Sequence, residues 1–151
     1  MQQKVNFALV VILLLVLQPA AVFAQEIYTR GGSTLALEGY DAVSYFVAGK
    51  PVAGRGDFTS NYKGAVWRFS SADNKRAFDA NPRKYAPQYG GHCAWGTARG
   101  YLVRGDPNVW RIVNGKLYLN YNRSVQNNWD RDISGYISKA NGNWPAVLKT
   151  K

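Results

Sequence analysis

The residues best suited to chemistry in this chain stand side by side in the stretch QYGGHCAWG. His92 is the only histidine and Cys93 is the only cysteine of the 151 residues. Imidazole and thiolate together suit Cu(I) or Zn(II), so the pair predicts a soft-metal site with His92 and Cys93 as ligands. Structural zinc needs a larger ligand set than this pair offers, whereas linear Cu(I) does not, and Cu(I) is therefore the favoured ion.

Two other interpretations of Cys93 are open. Free cysteines are most often small buried residues packed among apolar side chains. A cysteine can also do redox or nucleophilic chemistry when its thiol is deprotonated. Neighbouring side chains on an extended chain point to opposite faces, so one ion reaches both His92 and Cys93 only if Gly90 and Gly91 make the backbone irregular. His92 is equally well explained as a solvated loop residue.

The amino terminus has the pattern of a secretory signal peptide. Lys4 precedes the apolar run Phe7–Leu17, and Val22 and Ala24 match a cleavage site. The run is too short for a membrane span, which needs about 20 apolar residues. We therefore predict a signal peptide at residues 1–24 and an exported protein, periplasmic or secreted, with no transmembrane segment in the mature chain. In an oxidising compartment a single cysteine is buried, modified, metal-bound or paired with another molecule.

The charge of the chain bears on its partners. The formal net charge is +10 at pH 7, which favours anionic partners. The lysines and arginines are scattered in runs of no more than two, so we expect a solvated basic surface and no specific nucleic-acid binding. The sequence has no hydrolase, zinc-protease, dithiol or phosphate-loop motif. Binding is therefore expected in preference to catalysis.

Local patterns predict strands and helices in a mixed order. The alternation in AVWRF predicts a strand at residues 65–69. Ser70 or Ser71 is expected to cap a helix that ends at 81–82. Asn114 and Gly115 stand between two strand-like runs and predict a central hairpin with a type I′ turn.

A second helical region is expected near the carboxyl end. Ser124 is predicted to cap a helix over VQNNWDR. The next helix is expected to end at 141–142 and to bury one face, formed by Ile133, Tyr136, Ile137 and Ala140. No internal repeat and no βαβ rhythm is apparent. The prediction is an α+β fold, a small single domain with a short antiparallel sheet, a central hairpin and a few packed helices.

Four segments also carry a resemblance to a known family. They are EGYDAVSYF, WRFSSADNKRAF, NPRKYAPQYGGHCAWG and GKLYLNYNRSVQNNWDRDISGYI. In order and spacing they resemble the YHS-domain proteins, and more closely the stand-alone exported bacterial members. The resemblance sets a predicted domain at residues 38–148, after an N-terminal extension at residues 25–37. It implies a small α+β domain and a link to heavy metals.

The metal ligands of those relatives are not retained at the matching positions. In the relatives, thiolates come from an Asp-Pro-Val-Cys segment and a Cys-Ser-x-x-Cys segment. The matching positions here are Ser44, Ser70 and Asn74, whose hydroxyl and amide groups are poor ligands for soft metals. His92 and Cys93 are then the soft pair that remains.

Other residues near these segments have less specific roles. Asp41 lies in the first of them and is predicted to be a cap or turn residue, with a hard metal ligand or a general base as alternatives. Most aromatic residues are expected to build the core. Tyr85, Tyr89 and Trp95 are expected to cluster around the Gly-Gly-His-Cys loop.

The expected function is that of an exported YHS-like binding module. It would bind or handle a heavy metal, with copper favoured, at His92 and Cys93. One alternative is an extracytoplasmic protein- or small-molecule-interaction domain in which Cys93 is buried and structural. A second is a thiol-dependent redox protein.

Overall fold

The computed structural model describes residues 25–149, so the predicted signal peptide at residues 1–24 lies outside the described residues. The strands form two antiparallel hairpins, where the sequence predicted one sheet. The α+β class is confirmed. The helices are α1 (Ser44–Val47), α2 (Ala72–Ala80), α3 (Pro82–Tyr85), α4 (Ala94–Ala98), α5 (Arg123–Trp129) and α6 (Ile133–Asn143), and the strands are β1 (Arg55–Tyr62), β2 (Ala65–Phe69), β3 (Asp106–Val113) and β4 (Lys116–Asn120).

The same structural unit occurs twice, which corrects the expectation that the chain has no internal repeat. In each unit a short helical turn, a short helix, a hairpin and two further helices follow one another. We call residues 37–85 the first unit and residues 88–143 the second unit. The strands of the two hairpins start and end at a constant offset of 51 residues (106 − 55).

The two hairpins share their register as well as their lengths. In the first, Arg55 pairs with Phe69, and the register then shifts so that Thr59 pairs with Arg68. In the second, Asp106 pairs with Asn120, and the same shift pairs Trp110 with Leu119. Each hairpin therefore has a bulge at the same place in its first strand. The two-residue turns also correspond, with left-handed φ at Lys63, Gly64, Asn114 and Gly115.

Side-chain caps explain where α2, α3, α5 and α6 begin. The Ser71 hydroxyl accepts a hydrogen bond from the Asn74 N–H at 3.1 Å, so the predicted start of α2 is confirmed. The predicted cap of α5 at Ser124 is wrong, because the Asn122 side chain accepts the Val125 N–H at 2.9 Å. The helix therefore begins at Arg123, two residues before its predicted first residue, Val125. The final helix, α6, also runs past its predicted end to Asn143.

Each unit contributes its own aromatic core. Trp67 packs on Phe78 with ring centroids 4.9 Å apart, and at the corresponding positions Tyr118 packs on Trp129 at 5.6 Å. The predicted apolar face of α6 is confirmed, because Ala140 is fully buried in the second core and the other face residues pack against it. The segment before the first unit also takes part, since Ile27 and Ala36 are buried in the first core.

Within residues 25–149, no helix combines the length and the apolar character needed to cross a bilayer.

The hairpin at Asn114 and Gly115 gives the first testable prediction. Gly115 has φ +72° with open space around its Cα, so a Cβ there meets backbone strain alone. Replacement by alanine should lower the free energy of unfolding by roughly 1–2 kcal/mol. Gly142 also has open space, but it lies within α6, so Gly142→Ala should raise that energy by about 0.5–1 kcal/mol. Urea unfolding measures both, and a shift of the two midpoints in the same direction would contradict the prediction.

Candidate functional site

The glycine pair before His92 is required by a close approach of the N-terminal segment. Gly90 and Gly91 have φ of +62° and +86°, a region that favours glycine. The Gly90 carbonyl accepts a hydrogen bond from the Tyr28 N–H at 2.9 Å. A Cβ on Gly90 would overlap the Glu26 carbonyl oxygen. The loop is therefore shaped to receive the chain that enters the domain.

His92 and Cys93 lie on extended backbone, and their side chains have separate surroundings. His92 bridges to Arg104, whereas Cys93 bridges to Leu119. Their φ/ψ values are −67°/156° and −59°/121°, which places successive side chains on different sides of the chain. The backbone is irregular at Gly90 and Gly91, before the pair, and not between His92 and Cys93 themselves. The imidazole and the thiol are therefore not brought to one ion.

His92 faces the N-terminal segment. Its Nε2 lies 3.1 Å from the Gln25 carbonyl oxygen, and its ring packs near those of Tyr28 and Trp144, at 5.6 and 6.1 Å. Burial lowers the pKa of His92, although the backbone groups of Gln25 and Val103 favour the protonated ring. The imidazole is therefore neutral near pH 7, with Nε2–H donating to Gln25, and its buried Nδ1 makes no hydrogen bond in the described part of the chain.

Cys93 is fully buried at the start of α4. Its Sγ–H donates to Asn120 Oδ1 at 3.6 Å, and the same oxygen accepts the Trp95 N–H at 3.3 Å, which fixes the orientation of the amide. Burial raises the pKa of the Cys93 thiol, and the backbone N–H groups of Gly96, Tyr121 and Trp95 offset only part of that rise. The thiol is thus mainly protonated near neutral pH, which disfavours the reactivity of a redox cysteine.

Asp41 is a buried carboxylate with many hydrogen bonds. Its Oδ1 accepts from the N–H groups of Val43 and Ser44, at 2.8 and 3.3 Å. Its Oδ2 accepts from the N–H and hydroxyl of Ser70, at 2.9 and 2.7 Å, and from the Asn74 amide at 2.6 Å. Asp41 was predicted to be a cap or turn residue; it is a turn residue before α1, and it also ties α1 to the start of α2.

Cys93 has in the second unit the position that Asp41 has in the first, because the offset between the units is 52 residues at this point of the chain (93 − 41) and 51 within the hairpins. The Asp41 N–H donates to Val52 at 2.8 Å, and the Cys93 N–H donates to Val103 at 2.9 Å. Each side chain then faces three backbone N–H groups from corresponding places, two at the start of a short helix and one just after the second strand. These donors are Val43, Ser44 and Ser70 around Asp41, and Trp95, Gly96 and Tyr121 around Cys93.

An apolar pocket opens beside Cys93, and sequence reasoning missed it. It has a volume of about 210 Å³. Tyr101 and Tyr121 remain 43% and 38% exposed, which is unusual for large apolar side chains in this protein. We call it the Cys93 pocket; its lining residues are Cys93, Trp95, Tyr101, Val103, Tyr121 and Val125.

The three aromatic residues expected around the loop have different locations. Trp95 lines the Cys93 pocket. Tyr89 is buried beneath α6, where its hydroxyl donates to Asn141 at 2.9 Å. Tyr85 packs edge-on against Phe46 at 5.3 Å, in the first unit.

The thiolate positions of the YHS relatives do not fit a soft metal ion in this chain. Ser44, Ser70 and Asn74 do come together, as a metal site requires, but their polar groups bind the backbone and side chain of Asp41. Within residues 25–149, no group of three or more His, Cys, Asp and Glu residues could hold a metal ion. The metal site at His92 and Cys93 stays a prediction, and each of these two residues offers a single ligand on its own side of the chain.

Comparison with known families found a match in the first unit. Residues 43–89 match the family model of the YHS domain. The match confirms the predicted resemblance to the YHS-domain family and runs from Val43, the residue before α1, to Tyr89, the residue before Gly90. Searches of curated proteins and of solved structures found no match. The YHS match thus covers most of the first unit and ends before His92, Cys93 and the pocket.

The buried imidazole gives a prediction about pH. His92 is the only histidine, and unfolding returns it to an ordinary pKa of about 6.5. Because the folded pKa is lower, the unfolded chain binds more protons below that value. Stability should therefore be complete above about pH 7 and fall as the pH is lowered towards about 5.5. Urea midpoints across this range should fall for the wild type and remain flatter for His92→Gln. A wild-type midpoint that rises on acidification would show that the folded state prefers the protonated ring.

Proposed function

We propose that this chain is an exported YHS-type binding module that holds a small apolar molecule in the Cys93 pocket. The observation that supports this function is the difference between the two units at one place. In the first unit, Ser70 and Asn74 fill the space beside Asp41 with hydrogen-bonded side chains. At the corresponding positions the second unit has Tyr121 and Val125, which line an open pocket.

The volume of the pocket favours a ligand with one ring. Apolar cavities of about 150 Å³ bind benzene, and pockets for drug-sized ligands are about 300–1,000 Å³. The Cys93 pocket, at about 210 Å³, lies between these sizes. A single ring with a short substituent would fill it.

The chemistry of the lining favours an apolar ligand. The raised pKa of Cys93 keeps its thiol neutral, so a ligand that covers the thiol desolvates no ion. Tyr101 and Tyr121 expose apolar area that a ligand would remove from water. The separation of His92 and Cys93 supports a binding role, because the imidazole faces Gln25 and is not placed to activate the thiol.

The export proposal rests on the sequence pattern of residues 1–24. The apolar run and the small residues at Val22 and Ala24 support a mature chain that begins at Gln25. Such a module would act in the periplasm or outside the cell.

A neutral one-ring probe tests the pocket. Benzyl alcohol should shift the NMR signals of Trp95 and Tyr101, with a Kd on the order of 1 mM, as expected for a fragment of this size. Val125→Trp should abolish binding by filling the pocket. Val113→Trp, on β3 and outside the lining, should leave binding unchanged. Shifts that persist in a folded Val125→Trp variant would contradict the assignment of the pocket.

Metal handling at the Gly-Gly-His-Cys loop is the second candidate function. One feature of His92 favours it. Metal-bound imidazoles usually donate their second ring N–H to a carbonyl or carboxylate, and Nε2 of His92 lies 3.1 Å from the Gln25 carbonyl. That contact leaves Nδ1 buried and without a hydrogen bond in the described residues. His92 and Cys93 could hold one Cu(I) ion together only if one of the two side chains moved. Otherwise, either residue would need a second ligand from another molecule.

Competition against a Cu(I) chelator under reducing conditions tests this candidate. Cys93→Ser should lose most of the Cu(I) affinity and His92→Gln a smaller part. The affinity should also fall as the pH is lowered, because protons compete for the thiolate and then for the imidazole. If the wild type and a folded Cys93→Ser variant compete equally poorly, metal handling at this loop is ruled out.

A further inference from the structure

Two guanidinium groups stack on aromatic rings that line the Cys93 pocket, although neither arginine is itself a lining residue. Arg99 stacks on the Trp95 ring at 4.5 Å, and Arg104 stacks on the Tyr121 ring at 4.8 Å. Both rings line the pocket. Arg104 has one carboxylate neighbour, Asp106, at a long 4.0 Å, and Arg99 forms no ion pair within residues 25–149. More positive than negative charge therefore lies next to two of the lining rings.

The floor of the pocket has the same electrostatic character. In the first unit, the negative charge of Asp41 faces three backbone N–H groups. In the second unit, the corresponding N–H groups face the neutral thiol of Cys93. The Trp95 N–H donates to Asn120 Oδ1, and none of the three N–H dipoles faces a negative charge. The indole Nε1 of Trp95 is also buried and makes no hydrogen bond in the described part of the chain.

Given the proposed pocket, on which this step rests, we propose that its ligand is a small organic carboxylate with one apolar ring. The ring lies among Trp95, Tyr101 and Tyr121. The carboxylate lies at the mouth, where Arg99 and Arg104 bind it. A planar carboxylate matches the fork of N–H donors that a guanidinium presents.

The apolar lining and the two arginines select this class together. A neutral ring would satisfy the lining and leave the guanidinium groups without an anion. Inorganic phosphate would pair with the arginines and leave the apolar lining in contact with water. A cationic amine would be repelled by both arginines and by the net charge of +10.

Three probes with the same ring distinguish these cases: benzoate, benzyl alcohol and benzylamine. Each is titrated into the wild-type protein at low ionic strength, with binding followed by NMR. Benzoate should bind about tenfold more tightly than benzyl alcohol, the scale of one charge-assisted contact, and benzylamine should bind most weakly. Arg99→Gln and Arg104→Gln should each remove much of the benzoate advantage and leave benzyl alcohol unchanged.

Arg83→Gln is the matched control, because it removes the same charge from an exposed position on α3, outside the lining. It should leave the benzoate affinity unchanged. If it weakens benzoate as much as Arg99→Gln does, general attraction explains the preference and the carboxylate site is overturned. Equal affinities for benzoate and benzyl alcohol overturn the carboxylate inference but leave the pocket intact. Binding of none of the three probes overturns the pocket as well.

Discussion

A buried side chain beneath three backbone N–H groups organises each half of this protein. In the first unit that side chain is Asp41, which is fully buried and accepts five hydrogen bonds. A buried carboxylate is costly unless its hydrogen bonds replace those of water. The donors come from both ends of the unit, from Val43 and Ser44 before the hairpin and from Ser70 and Asn74 after it. Satisfying one anion therefore closes the unit around its hairpin.

The second unit keeps this backbone arrangement with a different group at its centre. Burial keeps the thiol of Cys93 protonated and therefore uncharged. It does not require the polar partners that the carboxylate of Asp41 requires. The corresponding positions are consequently free to be Tyr121 and Val125, and a pocket forms where the first unit is filled. Asn120 accepts the thiol hydrogen bond and retains the link to β4. One architecture thus provides a half that is closed by hydrogen bonds and a half with an open pocket.

Local signals in the sequence were sufficient to predict individual helices and strands. They were insufficient to predict that the two halves of the chain repeat one structural unit. The Asn114–Gly115 hairpin and the Ser71 cap were predictable because short-range backbone geometry determines them. The repeat was not, because the units share backbone geometry while their residues differ, as AVWRF and KLYLN in β2 and β4 show. The pocket was also hidden, since Cys93 meets Tyr121 and Val125 only through the pairing of the chain across β4.

The adjacency of the only histidine and the only cysteine has a simple physical basis in this fold. Extended backbone sends successive side chains to different sides, so one dipeptide can serve two surfaces. On one side, His92 binds the Gln25 carbonyl, and Gly90 leaves room for the segment that follows Gln25. On the other side, Cys93 forms part of the pocket. The N-terminal segment therefore packs against the face of the Gly-Gly-His-Cys loop opposite the pocket. This contact fixes the position of Cys93 without any bond between the side chains of His92 and Cys93.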